Sequence, residues 1–440
     1  MGEIRRDGSE ICFGLLILRV ADGDFPANSL KFSISMKVEF VEREGIKFVL
    51  MKNERSRSLY INITSAIGSV HETRENNGIT HFLEHMIFKG SARFSYRDIN
   101  HFFEINGNSI DAYTTKESLT ITTTILPDAF DGALEIISDM IANPLFLERD
   151  IENEKKVVLQ EYNELMDTPN EVSYINLYRA VFDGHPLAFE VLGTPETIAS
   201  FNRDMLQRRL REVFSRGNVA VALYGRIPDD AVDKFLSYMK LYDEFVPPRI
   251  PYPPYKPSME YHRDNSSGCY VSMGIPLFQY DKDKIMVVNS LLGAGMSSLL
   301  FEIIREEKGL VYDIHSFVDA YRDVALFGIY FAAIPENCNQ VLYEIRTILD
   351  GLPQVDIEPA RRKVISSLTI DWENPISYVS AVLWEYLTTG RIIDAAKILS
   401  RVESFSRDDL MDHIERVSRF DDYSISVVGE VEAMEWGLRV

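Results

Sequence analysis

Val246-Pro-Pro-Arg-Ile-Pro-Tyr-Pro-Pro-Tyr-Lys-Pro257 divides the 440-residue chain. Proline fixes φ and removes a backbone donor, so this stretch is predicted to be neither helix nor central strand. It separates a first half, residues 36–245, from a second, residues 261–440, with 246–260 as the linker. Each half has the size of an ordinary domain. The two halves read as a diverged internal repeat. Ser58-Leu-Tyr-Ile-Asn-Ile-Thr64 alternates as a strand, and so does Gly268-Cys-Tyr-Val-Ser-Met273. Ser118-Leu-Thr-Ile-Thr-Thr-Thr-Ile-Leu-Pro127 has its counterpart in Ala325-Leu-Phe-Gly-Ile-Tyr-Phe-Ala-Ala-Ile-Pro335. Asn218-Val-Ala-Val-Ala-Leu-Tyr-Gly225 and Tyr423-Ser-Ile-Ser-Val-Val-Gly429 close the halves in the same way. The expected fold class is therefore α+β: two similar domains, each a mainly antiparallel sheet with helices on one face.

Upstream, Met36-Lys-Val-Glu-Phe-Val-Glu42 alternates as a first strand. Residues 1–35 are expected to be an N-terminal extension outside the fold. Arg5 and Arg6 precede the apolar run Ile11–Leu18 as in a targeting segment, whereas Asp7 and Glu10 spoil that pattern. The run is too short to span a bilayer, which takes about 18 to 20 apolar residues, so no membrane association is expected. Cys12, Cys269 and Cys338 form no C-x-x-C pair, which argues against a disulfide framework and fits a reducing, cytoplasmic compartment. The net charge of −21 makes nucleic acid a poor partner. It is read either as a solubility feature or as acidic residues lining a cavity that favours basic peptides.

The chemistry begins in Gly78-Ile-Thr-His-Phe-Leu-Glu-His-Met-Ile-Phe-Lys89. Apolar Ile79, Phe82, Leu83, Met86 and Ile87 predict a buried helix. On it His81 and His85, four apart, stand on one face and suit a single Zn²⁺. Glu84 borders that face as a candidate general base. A pair of core histidines on an amphipathic helix is the other reading. With 8 His and 67 acidic residues, a chance H-x-x-[DE]-H is expected only roughly 0.02 times. A further ligand is sought in Asp150-Ile-Glu-Asn-Glu-Lys-Lys-Val-Val-Leu-Gln-Glu-Tyr-Asn-Glu164, where Glu154 and Glu161 share a face two turns apart. Val157, Val158 and Leu159 are expected to anchor that helix. Periodicity alone does not choose among its glutamates.

From about Val38 onward, the chain resembles the pitrilysin, insulinase and mitochondrial-processing-peptidase family of zinc peptidases. The likeness rests on the H-x-x-E-H order of the inverzincins and on Gly68-Ser-Val-His-Glu-Thr73, Phe88-Lys-Gly90 and Gly184-His-Pro-Leu187. It extends to Leu192-Gly-Thr194 and Gly295-Met-Ser-Ser-Leu-Leu-Phe301. The resemblance implies Glu161 as the third zinc ligand and Glu154 as its supporting carboxylate. It also implies one zinc per chain and metal-assisted hydrolysis of unfolded peptides in an enclosed chamber. Arg305-Glu-Glu-Lys-Gly-Leu-Val-Tyr312 matches the family's arginine–tyrosine substrate element. Asp111-Ala112-Tyr-Thr114 stands where the family has Asn-Ala-aromatic-Thr, the strand that pairs with substrate, so Asp111 lacks the amide donor. The second half has no H-x-x-E-H. Because both elements lie in one chain, a homodimer is expected to close the chamber, with a heterodimer as the other arrangement. The alternative class is a non-catalytic assembly subunit, a type that typically loses the metal residues.

Overall fold

The computed structural model describes residues 38–263 and 268–429, which fall in one compact unit. The proposed extension, Met36 and Cys12 lie outside the described residues. In the first half the strands are β1 (Val38–Arg43), β2 (Ile46–Lys52), β3 (Leu59–Ser65), β4 (Gly107–Thr114), β5 (Leu119–Ile125) and β6 (Val219–Gly225). The second half contributes β7 (Met259–His262), β8 (Cys269–Phe278), β9 (Asp313–Ala320), β10 (Val324–Ala333) and β11 (Ser424–Gly429). The sheet orders are β1-β2-β6-β3-β5-β4 and β7-β11-β8-β10-β9. Apart from the added edge strand β1, the second order repeats the first position for position. Each sheet is mainly antiparallel with one parallel pairing, β2 with β6 and β7 with β11.

Alternation along β3 sorts its side chains by face. Leu59, Ile61 and Ile63 enter a core with Phe82, Phe130, Ile137 and Leu210 from the covering helices. Cys269, Val271 and Met273 of β8 do the same with Val288, Val341 and Ile414. Each such side chain removed from water contributes roughly 1.5–3 kcal/mol. Among the described residues no helix is long and apolar enough to cross a membrane.

The helices that share each sheet's core cover one face, as expected. The opposite face of each sheet is covered by a helix from the other half. Helix Pro169–Val181 packs on β8 and β11, with Ser173 Oγ 2.8 Å from Ser272 Oγ. Helix Pro375–Thr389 packs on β2, β3 and β6. There the Asn62 amide donates to Ser380 Oγ at 3.3 Å, and Lys47 Nζ donates to the Tyr386 carbonyl at 3.0 Å. This is why the polar positions Asn62, Thr64 and Ser272 are buried although they point away from their own half's core. The proline-rich stretch is neither helix nor strand, and it is docked. Tyr252 stacks on His185 at 4.1 Å, and Tyr255 donates to the Asp422 carbonyl at 2.7 Å.

Candidate metal and active site

The site is built on the helix Ile79–Ile87, whose apolar face (Ile79, Phe82, Leu83, Met86, Ile87) is wholly buried, as its spacing predicts. Its start is tightly specified. Gly78 adopts φ 90°, and a Cβ there would lie 2.4 Å from the Leu192 carbonyl oxygen, so only glycine fits. The buried Glu72 carboxylate accepts from Gly78 N (2.7 Å), Thr80 N (2.9 Å) and Thr80 Oγ1 (2.5 Å). A negative charge at this end satisfies orphan amides and complements the helix dipole. Arg209 secures the same turn, donating from Nε to Thr80 Oγ1 and from a terminal nitrogen to the Gly68 carbonyl, both at 2.8 Å. Neither Glu72 nor Arg209 is visible as a cap in the sequence. Glu72 lies six residues before Gly78, outside any capping-box spacing.

On the half-buried edge of the helix the rings of His81 and His85 lie 4.6 Å apart. The helix Glu148–Met166 faces them. Its buried positions are Ile151, Glu154 and Val158. Val157 and Leu159, expected as anchors, are instead 43% and 36% exposed. Consecutive helical residues turn by about 100°, and this helix meets the core along the narrow stripe of Ile151, Glu154 and Val158, so Val157 and Leu159 fall to either side of it. Glu154 Oε1 lies 2.8 Å from His85 Nδ1, while its Oε2 is 2.6 Å from Lys89 Nζ. With Nδ1 tethered, the free Nε2 of His85 points to Glu161, 3.6 Å from Oε2. The same oxygen is 4.0 Å from His81 Nε2. The His81 Nδ1 is buried without a partner among the described residues.

Two carboxylates border the histidine pair, because donor atoms of His81, Glu84 and His85 also lie within 4.8 Å of one another. They differ in setting. Thr114 Oγ1 donates to Glu84 Oε2 at 2.6 Å, and burial pushes the Glu84 carboxyl up to about 7 among the protein groups alone. Burial, then the proximity of His85, lowers the His81 imidazole to about 3, which keeps it neutral and its lone pair available. Burial, the largest single influence, opposes protonation of His85 as well, but the hydrogen bond to Glu154 and the charges of Glu161, Glu84 and Glu154 together raise that imidazole. Burial of Glu154 is likewise outweighed by His85 and Lys89, which hold its carboxyl below the usual range.

Donors around a tetrahedral zinc at 2.0–2.1 Å are about 3.3 Å apart. The 3.6 and 4.0 Å separations between Glu161 Oε2 and the two ring nitrogens are close to that value. Two nitrogens and a carboxylate oxygen, with one ring held from behind by a carboxylate, form a donor set that fits zinc.

Asp111 and Ala112 lie on β4, the edge strand opposite β1 in the first sheet, and Asp111 accepts from Ser109 Oγ at 2.8 Å. Arg305 stacks on Phe301 at 4.7 Å, and Tyr312 is 67% exposed just before β9. Among the described residues no hydrogen bond or ion pair joins Arg305 or Tyr312 to the histidine cluster. Thr114 and Lys89, which hold Glu84 and Glu154, carried no signal of their own beyond the family-like segments containing them.

Residues 47–195 match the family model described as insulinase (peptidase family M16), and residues 200–361 match the M16 inactive domain. The chain belongs to the M16 peptidase family. An uncharacterized zinc protease of Bacillus subtilis is 29% identical over 83% of this M16 chain and 93% of its own length. The beta subunit of the mitochondrial-processing peptidase of Caenorhabditis elegans is 27% identical, covering 87% and 88%. The crystal structure of a peptidase M16 inactive domain from Pseudomonas fluorescens shares the fold. Its TM-score is 0.83 at 16% identity, over 90% of this chain and 99% of that one.

Proposed function

We propose that this M16 chain is a zinc-dependent endopeptidase acting on unfolded peptides. The observation that carries the reading is the convergence of both histidine Nε2 atoms on Glu161 Oε2, with His85 fixed from behind by Glu154. His81, His85 and Glu161 would hold the metal. When bound, zinc supplies Lewis-acid polarisation of the attacking water and the scissile carbonyl. Glu84 takes the proton of that water on the oxygen not held by Thr114 and returns it to the leaving amine. Asp111 and Ala112 on the open edge of β4 pair with the substrate backbone. Arg305 and Tyr312 steady the tetrahedral intermediate from the second half. A homodimer would enclose the substrate, and the acidic excess favours basic peptides.

The test is zinc content measured together with cleavage of a mixed pool of basic, neutral and acidic peptides. About one zinc per chain and cleavage lost on chelation are the expected results. A metal-replete chain that cleaves nothing would leave the assembly-subunit reading.

A further inference from the structure

The β4–β5 turn lies between the candidate substrate strand and the rest of the first sheet, and the second half touches it. Its tip is Thr115–Ser118, directly after Thr114, whose hydroxyl holds Glu84. First-half groups secure one side: Ser69 N and Val70 N donate to the carbonyls of Thr115 and Lys116 at 3.2 and 2.7 Å. The other side meets the β9–β10 turn of the second half. There the backbone N–H of Arg322 donates to Glu117 Oε1 at 3.0 Å.

Beneath this contact lies a polar cluster built from both halves. Tyr174 and Tyr178 donate to Asp319 Oδ2, the latter at 2.6 Å, and Tyr178 OH is 2.5 Å from Tyr321 OH. Lys116 sits 5.3 Å from the Tyr178 ring centroid and donates to the Phe189 carbonyl. Burial raises the Asp319 carboxyl and lowers the Lys116 ammonium, so both groups are held in a poorly solvated joint. Such polar groups are retained in a joint of this kind only when their partners stay in place.

We propose that Glu117 is a positioning residue for Glu84. By accepting from Arg322 N it lets the second half fix the turn that sets Thr114, and hence the proton acceptor, at its place beside the histidines. This rests on the endopeptidase reading above for its consequence on rate, but not for its consequence on structure.

The experiment compares Glu117→Ala with Glu117→Gln, which keeps the acceptor oxygen. Glu117→Ala should lower kcat about 10- to 100-fold with KM within about two-fold, the scale expected when a reacting group is misplaced by about 1 Å. Zinc content should not change, and Glu117→Gln should restore most of the rate. Combining Glu117→Ala with Thr114→Val should cost little more than either alone, because both act through the same hydrogen bond. Hydrogen exchange of the zinc-loaded chain gives a readout independent of catalysis. In Glu117→Ala the amides of residues 113–118 should exchange faster, those of the site helix should not, and Glu117→Gln should match the wild type.

Unchanged exchange in 113–118, equal damage from Gln and Ala, multiplicative effects with Thr114→Val, or a global rise in exchange with zinc loss would each overturn the proposal. A wild type that cleaves no peptide removes the endopeptidase reading instead, and the exchange result then decides the positioning role by itself.

Discussion

The two halves share a strand order and differ in what their matching helices bury. In the first half the helix Glu148–Met166 turns Ile151, Glu154 and Val158 inward, so a carboxylate enters the interior with His85 and Lys89 as partners. Its counterpart Glu358–Glu373 turns Ala360, Val364 and Trp372 inward. Among the described residues Lys363 there donates to a backbone carbonyl alone, that of Ala294. A buried carboxylate without a cation or donor costs several kcal/mol, so Glu154 and its partners stand or fall together. The topology is therefore indifferent to the chemistry, which resides in the few positions where a polar side chain is buried with a partner.

The hardest blow to this contrast comes from the first half alone. Glu84→Gln should retain zinc yet lower kcat/KM by about 10³-fold, and His85→Ala should lose the metal; atomic absorption and peptide cleavage read both. If Glu84→Gln empties the site and Glu161→Gln does not, ligand and base exchange roles. Next in size, Arg305→Ala and Tyr312→Phe should each lower kcat/KM about 10- to 1,000-fold with zinc unchanged. Full activity in both would confine the chemistry to the first half. Glu154→Gln removes the charge that orients His85 and should weaken zinc binding about 10- to 100-fold in a chelator competition. At the small end, Lys363→Ala should leave zinc content and kcat/KM within about two-fold. A larger effect would show that the matching position in the second half serves the site after all.

The sequence made the site helix legible because i, i+4 histidines on an apolar helix leave little freedom. It also carried the repeat, since strand alternation and terminal glycines recur in both halves. Periodicity did not separate Glu154 from Glu161, because residues seven apart share a face. Only the resemblance ranked them, and the structure adds that one is buried against His85 while the other faces the two ring nitrogens. Val157 and Leu159 misled because apolar neighbours in a row look like an anchor. The exchanged helices were not legible at all. Helix Pro169–Val181 buries Val172, Ile175, Leu177, Tyr178 and Val181, a pattern that signals contact on more than one side but not with which sheet. Arg305 and Tyr312 were singled out by motif alone, with nothing in the sequence to set their distance from the histidines.

The exchange of helices has a consequence for how the chain acquires its structure during synthesis. The outward face of β3, with Asn62 and Thr64, waits for Pro375–Thr389, more than 300 residues later in the chain. At roughly 5–20 residues per second that interval is about 15 to 60 seconds, during which the outward face of β2, β3 and β6 lacks its covering helix and is open to solvent and to other chains. Such long-range closure slows folding relative to locally connected folds. The first half is then a template completed by the last third of its own polypeptide, and the ribosome, through its rate, sets how long that template stays open.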